Sequence, residues 1–376
     1  MDSIAFQTLL IAICVGVSCA LLGSFLVLRK MSMMIDAISH TVLLGIVLAY
    51  MVVQDLTSPW LMIGSTIAGV MTVVLIELLV KSKRTSEDTA TGTIFPFLFS
   101  LAIIIITTRF RNTHLDMHAI SGNLEFAAYE PLVLFGVTLG SKTLYTNLLV
   151  LLLILLTLYA LFKEFKLSSF DSALAKTLGL MPAVLQYVLM TMVSLTAVTS
   201  FNAVGSILVV AMMIGPGATS LLMTKDLKMT LWVSGLIASF NAILGYFIAM
   251  FVFSGQVNIS ATIASVTLIT FLLVWTFEPN KGLVIRMIRK SKQKKEFEVL
   301  ALLMHIVQHE KTLEEQQELG INTLPLELNW SPEHYHKVLE RGIAEGYLKI
   351  SNQLVSLTKQ GKQYYIYKLN KLGINL

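Results

Sequence analysis

Asp36 and His40 stand four residues apart in a run, Met31 to Val53, that is otherwise rich in apolar residues. On a helix that spacing puts both side chains on one face, one turn apart, where they can reach the same point. A carboxylate and a neutral imidazole meeting there suit a divalent transition ion such as Mn²⁺, Fe²⁺ or Zn²⁺. The competing reading is a polar pair hydrogen-bonded inside a helix bundle, and residue type alone does not separate the two. Ionisable groups at such depth face a protein interior or a polar pathway rather than lipid. A second constellation, His114-Leu115-Asp116-Met117-His118, alternates three ligand types. In extended chain that period turns His114, Asp116 and His118 to one side. It reads as a site that receives a metal ion or as a solvated loop touching a partner protein. Its loop-like flanks favour the loop.

The composition says what kind of scaffold must position these residues. Of 376 residues, 55% are hydrophobic and 14% charged, and the mean hydropathy is +0.74. These values exclude an ordinary soluble domain and call for many membrane spans. A span takes about 20 mostly apolar residues. Runs of that kind lie at 4–28, 33–53, 59–80, 93–109, 145–163, 183–201, 204–223, 230–253 and 257–277. Those meeting at Phe201-Asn202-Ala203 have almost no loop between them, so the count is eight or nine. Apolar sequence is nearly continuous to Phe277, and beyond Pro279 charges become frequent. The expected division is a transmembrane domain over 1–279, a basic juxtamembrane linker over 280–295 and a small domain over 296–376.

Basic loops at Arg29-Lys30, at Lys81, Lys83 and Arg84, from Lys163 to Lys176, and at Lys225 and Lys228 belong on the cytoplasmic side, with the C-terminus among them. Gln54 to Ser58 and Ser254 to Asn258 carry no Lys or Arg, as outer loops should. Arg109 to Lys142 lies outside despite its basic residues. The first run is too long for a cleavable signal peptide and is followed by Arg29-Lys30, so it reads as a first span. A net charge of +5 needs no nucleic-acid partner in a chain with such loops. Cys14 and Cys19, on different faces of one helix, read as packing residues.

Glu77 precedes Lys81 by one turn and is accounted for by that ion pair. Asn202 and Asn241 lie at apolar depth and are expected to hydrogen-bond between helices. Gly215-Pro216-Gly217 is expected to break or kink its helix. Ser168 to Met181 differs in kind: too polar to span, it forms a short amphipathic helix by pattern, with Asp171 near its start and Gly179 near its end. Such a helix rests on lipid headgroups or docks into a groove of a cytoplasmic partner.

From Leu26 to about Pro279 the chain resembles the permease subunit of bacterial ABC importers for manganese, zinc or iron(II). The resemblance rests on Leu28-Arg29-Lys30-Met31-Ser32-Met33 leading into Asp36-Ala37-Ile38-Ser39-His40, and on Ser121-Gly122-Asn123-Leu124. Asp171-Ser172-Ala173-Leu174-Ala175 with Gly179-Leu180, Ala203-Val204-Gly205 with Leu208-Val209, and Ile214-Gly215-Pro216-Gly217-Ala218 complete it. One residue departs: the family usually has glycine where this chain has Ile35. The resemblance implies a multi-pass protein of the bacterial cell (inner) membrane. It implies that Asp36 and His40 contact the transported metal, and that Asp171, Ala173, Leu174, Ala175 and Gly179 receive motion from an ATPase. A symmetric dimer would present the pair twice and supply up to four ligands. The chain has no phosphate loop with a following Lys-Ser/Thr, so the ATPase is expected on a separate cytoplasmic subunit. The implied partners are that ATP-binding subunit, an extracellular metal-binding protein, a second permease copy and membrane lipid. No permanently bound cofactor is expected.

After Pro279, basic residues from Lys281 to Lys295 alternate with apolar ones and read as an anchor to anionic lipid. Phe297 to Val307 forms an amphipathic helix, Thr312 to Leu319 a second, and a third starts at Ser331-Pro332 and ends at Gly346. Tyr347 to Ile350 and Leu354 to Leu357 read as strands about Asn352-Gln353, and Thr358 caps a last helix. The order suggests a cytoplasmic winged-helix α+β domain. It resembles the DNA-binding part of iron- and manganese-dependent repressors through Val338-Leu339-Glu340-Arg341-Gly342-Ile343, Gly346-Tyr347-Leu348 and Val355-Ser356-Leu357-Thr358-Lys359-Gln360-Gly361. Glu333, Glu340 and Glu345 against Lys337 and Arg341 make a poor phosphate-binding surface, so a protein-contact or regulatory role is favoured over DNA.

The fold expected is thus an all-α polytopic membrane protein plus that small domain. The function expected is the permease of an ATP-driven divalent-metal importer, manganese favoured over zinc or iron. The alternatives are a membrane-tethered metal-responsive transcriptional regulator and an ion-coupled secondary transporter.

Overall fold

Apolar runs without charge fold as helices in lipid because a helix satisfies its backbone groups within the segment. The computed structural model of the protein describes residues 3–55, 58–110, 124–134, 137–310, 319–351 and 353–372. They fall into two compact units, Met1–Gly282 and Leu283–Leu376.

In the first unit, nine described helices are long and apolar enough to cross a membrane. They are α1 (Ser3–Leu28), α2 (Ser32–Val53), α3 (Trp60–Lys81), α4 (Glu87–Arg109), α6 (Lys142–Phe170), α8 (Pro182–Val204), α9 (Ser206–Met223), α10 (Leu227–Phe247) and α11 (Ile259–Phe277). A π-helical turn, Ile248–Val252, prolongs α10. Between α4 and α6 come α5 (Leu124–Ala127) and an antiparallel hairpin of β1 (Pro131–Leu134) and β2 (Val137–Ser141). The short α7 (Ser172–Thr177) lies between α6 and α8.

The apolar stretch of α1 is 72% buried and that of α6 only 22%, which makes α1 the core helix and leaves α6 on the lipid side. Around α1 pack α6, α8, α9 and α10, while α2 packs on α3, α4 and α8. Small residues let these backbones close: a Cβ on Gly23 would stand 1.8 Å from the Met213 carbonyl oxygen, and one on Gly45 would stand 2.4 Å from Ser65 Cα.

Several local expectations change. The helix break is not at Gly215-Pro216-Gly217, since α9 runs through Pro216 unbroken. It falls at Gly205, whose φ of 83° and ψ of 160° a side chain would resist. Asn241 accepts from Thr270 at 2.9 Å across helices, as expected, whereas Asn202 is exposed. The helix placed over 168–181 is divided, because α6 continues through Ser168 and Ser169 and stops at Asp171. Glu77 bonds Lys81 at 2.9 Å and also accepts from Tyr187 Oη at 2.5 Å, which joins α3 to α8. Both cysteines are free thiols.

In the second unit, α12 (Leu283–His309), α13 (Leu324–Glu327) and α14 (Pro332–Ala344) precede a hairpin of β3 (Leu348–Ser351) and β4 (Leu354–Leu357), and α15 (Lys359–Leu372) follows. The basic stretch expected as a linker is the first half of α12. Val299, Leu302, Leu303, Ile306, Tyr335 and Val338 anchor the core. Ser331 caps α14 by accepting from His334 N–H at 3.4 Å, and Thr358 Oγ1 accepts from Gly361 N–H at 3.0 Å. The helix expected at Thr312 to Leu319 lies, but for Leu319, outside the described residues, as does Asn352 of the hairpin turn.

Candidate metal site and coupling segment

The helix that carries Asp36 and His40 begins after a sharp reversal. Lys30 takes a left-handed conformation, with φ of 63°, and the Met31 N–H closes on the Leu26 carbonyl at 2.9 Å. Ile35, Ala37 and Ile38 then enter the core. Ile35 is 1% exposed and fills that core.

The remaining face carries the polar pair. Asp36 Oδ1 and His40 Nε2 are 3.6 Å apart, and their side chains are 50% and 42% exposed. That distance is too long for a hydrogen bond. It lies close to the roughly 3–3.5 Å that separates two donors each about 2.1 Å from one ion. Phe95 and Phe99 of α4 fix the imidazole, with the Phe95 ring stacked on it and the Phe99 ring edge-on, each with centroids 5.5 Å away. The sequence reading missed these two. Their signal was a pair of aromatic residues one turn apart around Pro96. Among the described residues no group of three or more His, Cys, Asp or Glu is placed to hold a metal ion. Asp36 and His40 could supply at most two ligands to an ion, and any others would have to come from other groups. His114, Asp116 and His118 lie outside the described residues.

The second candidate region is α7 and its flanks. The Asp171 carboxylate caps α7 by accepting from Leu174 N–H at 2.9 Å. At the other end Gly179 takes φ of 81°, and the Leu180 N–H bonds the Ala175 carbonyl at 3.0 Å, which stops the helix. Ala175 is fully buried, whereas Ala173, Leu174 and Leu178 are exposed. With Phe170 and Met181, also exposed, they form an apolar surface on a rigidly capped turn. Nearby, Lys166 donates to Asp226 at 3.1 Å, and that bond holds the Asp226 carboxyl below the usual carboxylate range.

Nine long apolar helices among the described residues make this a multi-pass membrane protein. The chain belongs to the ABC 3 transport family, which it matches over residues 1–278. It is 39% identical to the manganese transport system membrane protein MntD of Bacillus subtilis over 295 residues, 78% of this chain and 99% of that protein. It is 37% identical to the zinc transport system membrane protein TroD of Treponema pallidum over 357 residues, 94% of this chain and 96% of that one. Among solved structures, PsaBC from Streptococcus pneumoniae in complex with Fab superposes with a TM-score of 0.62 at 28% identity. That match covers 77% of this chain and 96% of the other. The likeness to TroD takes in most of Leu283–Leu376 as well as the membrane unit.

Proposed function

We propose that the chain is the permease subunit of an ATP-driven importer of divalent transition metal ions, with manganese the favoured substrate over zinc and iron(II). The observation that carries this reading is the Asp36/His40 pair on a half-exposed face of α2 in a member of the ABC 3 transport family. The names of relatives support the substrate class, since they handle manganese or zinc. A second permease copy would complete the ligand set across a two-fold axis. An extracellular binding protein would deliver the ion.

ATP hydrolysis belongs to a separate cytoplasmic subunit that docks on α7. The exposed Leu174, Leu178 and Phe170 on a capped helix are what a groove in such a partner would grip. The basic loops support a cytoplasmic side for α7 and the C-terminus in a bacterial inner membrane, and the basic half of α12 would meet anionic lipid. Leu283–Leu376 is a winged-helix-type module, on the support of a helix–helix–hairpin order in which β3 and β4 follow α14. Its work is contact with protein rather than DNA, because Arg341 is engaged by Glu298 at 3.6 Å.

The test is uptake, metal by metal, in cells making the chain with its ATPase. Asp36→Ala and His40→Ala should each lower uptake by at least about tenfold, as loss of a ligand does. Uptake unchanged in both variants would remove the pair from the pathway.

A further inference from the structure

Arg29 stands at the end of α1, seven positions before Asp36 in sequence, and its guanidinium reaches across to the last residues of α6. Nε donates to Ser169 Oγ at 2.9 Å and Nη2 to Ser168 Oγ at 3.0 Å. Both acceptors are set: Ser168 is 8% exposed, and Ser169 spends its own proton on the Phe165 carbonyl at 2.6 Å. Phe165 in turn packs on Phe25 of α1, with ring centroids 5.6 Å apart. No carboxylate neutralises the guanidinium among the described residues, and burial alone pushes it below its ordinary value. A cation held this way, on hydroxyls alone, contributes little net stability after its desolvation. What it supplies is geometry, since a planar fork bound at two points transmits orientation as a flexible ammonium cannot.

The position of the fork gives that geometry a use. Ser168 and Ser169 stand just ahead of Asp171, the cap of α7. On the other side, Arg29 is followed by the reversal at Lys30 and then by Met31, Met34 and Ile35, all buried in the core. We propose that Arg29 is the positioning residue that carries movement of α7 to the helix bearing Asp36 and His40. Displacing α7 shifts the end of α6, the two hydroxyls draw the guanidinium with them, and the short turn passes the motion into α2. This inference rests on the importer reading above.

The test uses the whole chain with its ATP-binding subunit, reconstituted in vesicles, with ATP hydrolysis and Mn²⁺ uptake read in parallel. Arg29→Lys keeps the charge and loses the fork; a Ser168→Ala/Ser169→Ala double variant keeps Arg29 and loses its acceptors. Both should hydrolyse ATP within about twofold of wild type while moving roughly tenfold fewer ions per ATP, the factor expected for losing a charge-assisted bond. Ser168→Thr/Ser169→Thr, which keeps the hydroxyls, should restore the ratio. A wild-type ratio of ions to ATP in both the lysine and the double-alanine variants would overturn the proposal. So would a fall in thermal stability that accounts for equal losses of hydrolysis and uptake, because the contact would then be merely structural. Failure of the wild-type assembly to take up Mn²⁺, Zn²⁺ or Fe²⁺ with ATP would instead sink the importer reading.

Discussion

In Met1–Gly282 the buried hydroxyls of Ser24, Thr196 and Thr219 each bond the carbonyl one turn back in their own helix. In Leu283–Leu376 the polar side chains reach across elements instead, Lys368 to Glu296, Lys362 to Glu310 and Arg341 to Glu298. The difference follows from the solvent. At membrane depth no water competes, so a hydroxyl is cheapest when its own helix satisfies it, and the helices cohere by close approach of small residues. In the second unit the apolar core supplies the cohesion, and exposed ion pairs add little to it. Against that background, a polar group in the membrane unit that does not bond its own helix stands out. Arg29 is of this kind, bonding Ser168 and Ser169 of α6, as are Asn241 with Thr270 and Tyr187 with Glu77.

The largest effect should come from breaking the close approach. Gly23→Ala would drive a Cβ into the Met213 backbone, which cannot give way. The cost exceeds the usual 1–3 kcal/mol or so of overpacking. The yield of monodisperse protein in detergent should collapse. In the second unit Gly342→Ala meets the end of the Leu348 side chain at 2.6 Å, which can turn aside. It should cost about 1 kcal/mol, read by hydrogen exchange in α14 of the full chain. Equal damage from both would erase the contrast between a core of backbones and a core of side chains.

The spans were legible in the sequence, to within one in number and only roughly at their ends, because hydropathy follows from composition alone. So were the Asp36–His40 spacing, the Glu77–Lys81 pair and the cap at Ser331, since each depends on residues at most four apart. What was not legible depends on the third dimension. Phe95 and Phe99 reach His40 from another helix, and Tyr187 reaches Glu77 from a distant one. Arg29 finds its partners 139 and 140 residues away. The break at Gly205 falls beside the loop-free junction that the apolar runs placed at Phe201-Asn202-Ala203, whereas Pro216 was expected to interrupt its helix and does not, because a helix tolerates proline where neighbours repack around the freed carbonyl. The division of Ser168–Met181 was missed because the apolar pattern crosses Asp171 without changing period.

A smaller effect tests the polar side of the contrast. Tyr335 is wholly buried in the second unit, its hydroxyl lacks a partner among the described residues, and burial pushes its phenol up to about 12. Tyr335→Ala should cost about 3–5 kcal/mol through the cavity it leaves. Tyr335→Phe removes only an unpaired buried hydroxyl and should be neutral or stabilising by up to about 1 kcal/mol. Hydrogen exchange of α14 peptides separates the two. A phenylalanine variant as damaging as the alanine one would mean that the hydroxyl has work to do in the folded unit.

The smallest effect should come from the ion pairs themselves. Lys362 Nζ lies 2.8 Å from Glu310 Oε2, with the two side chains 48% and 24% exposed. A pair so open to water is worth about 0.2–1 kcal/mol and is screened at high salt. Lys362→Ala should therefore change exchange in α15 by no more than a few-fold at low ionic strength, and by nothing measurable in 1 M salt, where the Debye length is about 3 Å. Loss of protection across the whole unit would show that charge rather than apolar burial holds Leu283–Leu376 together.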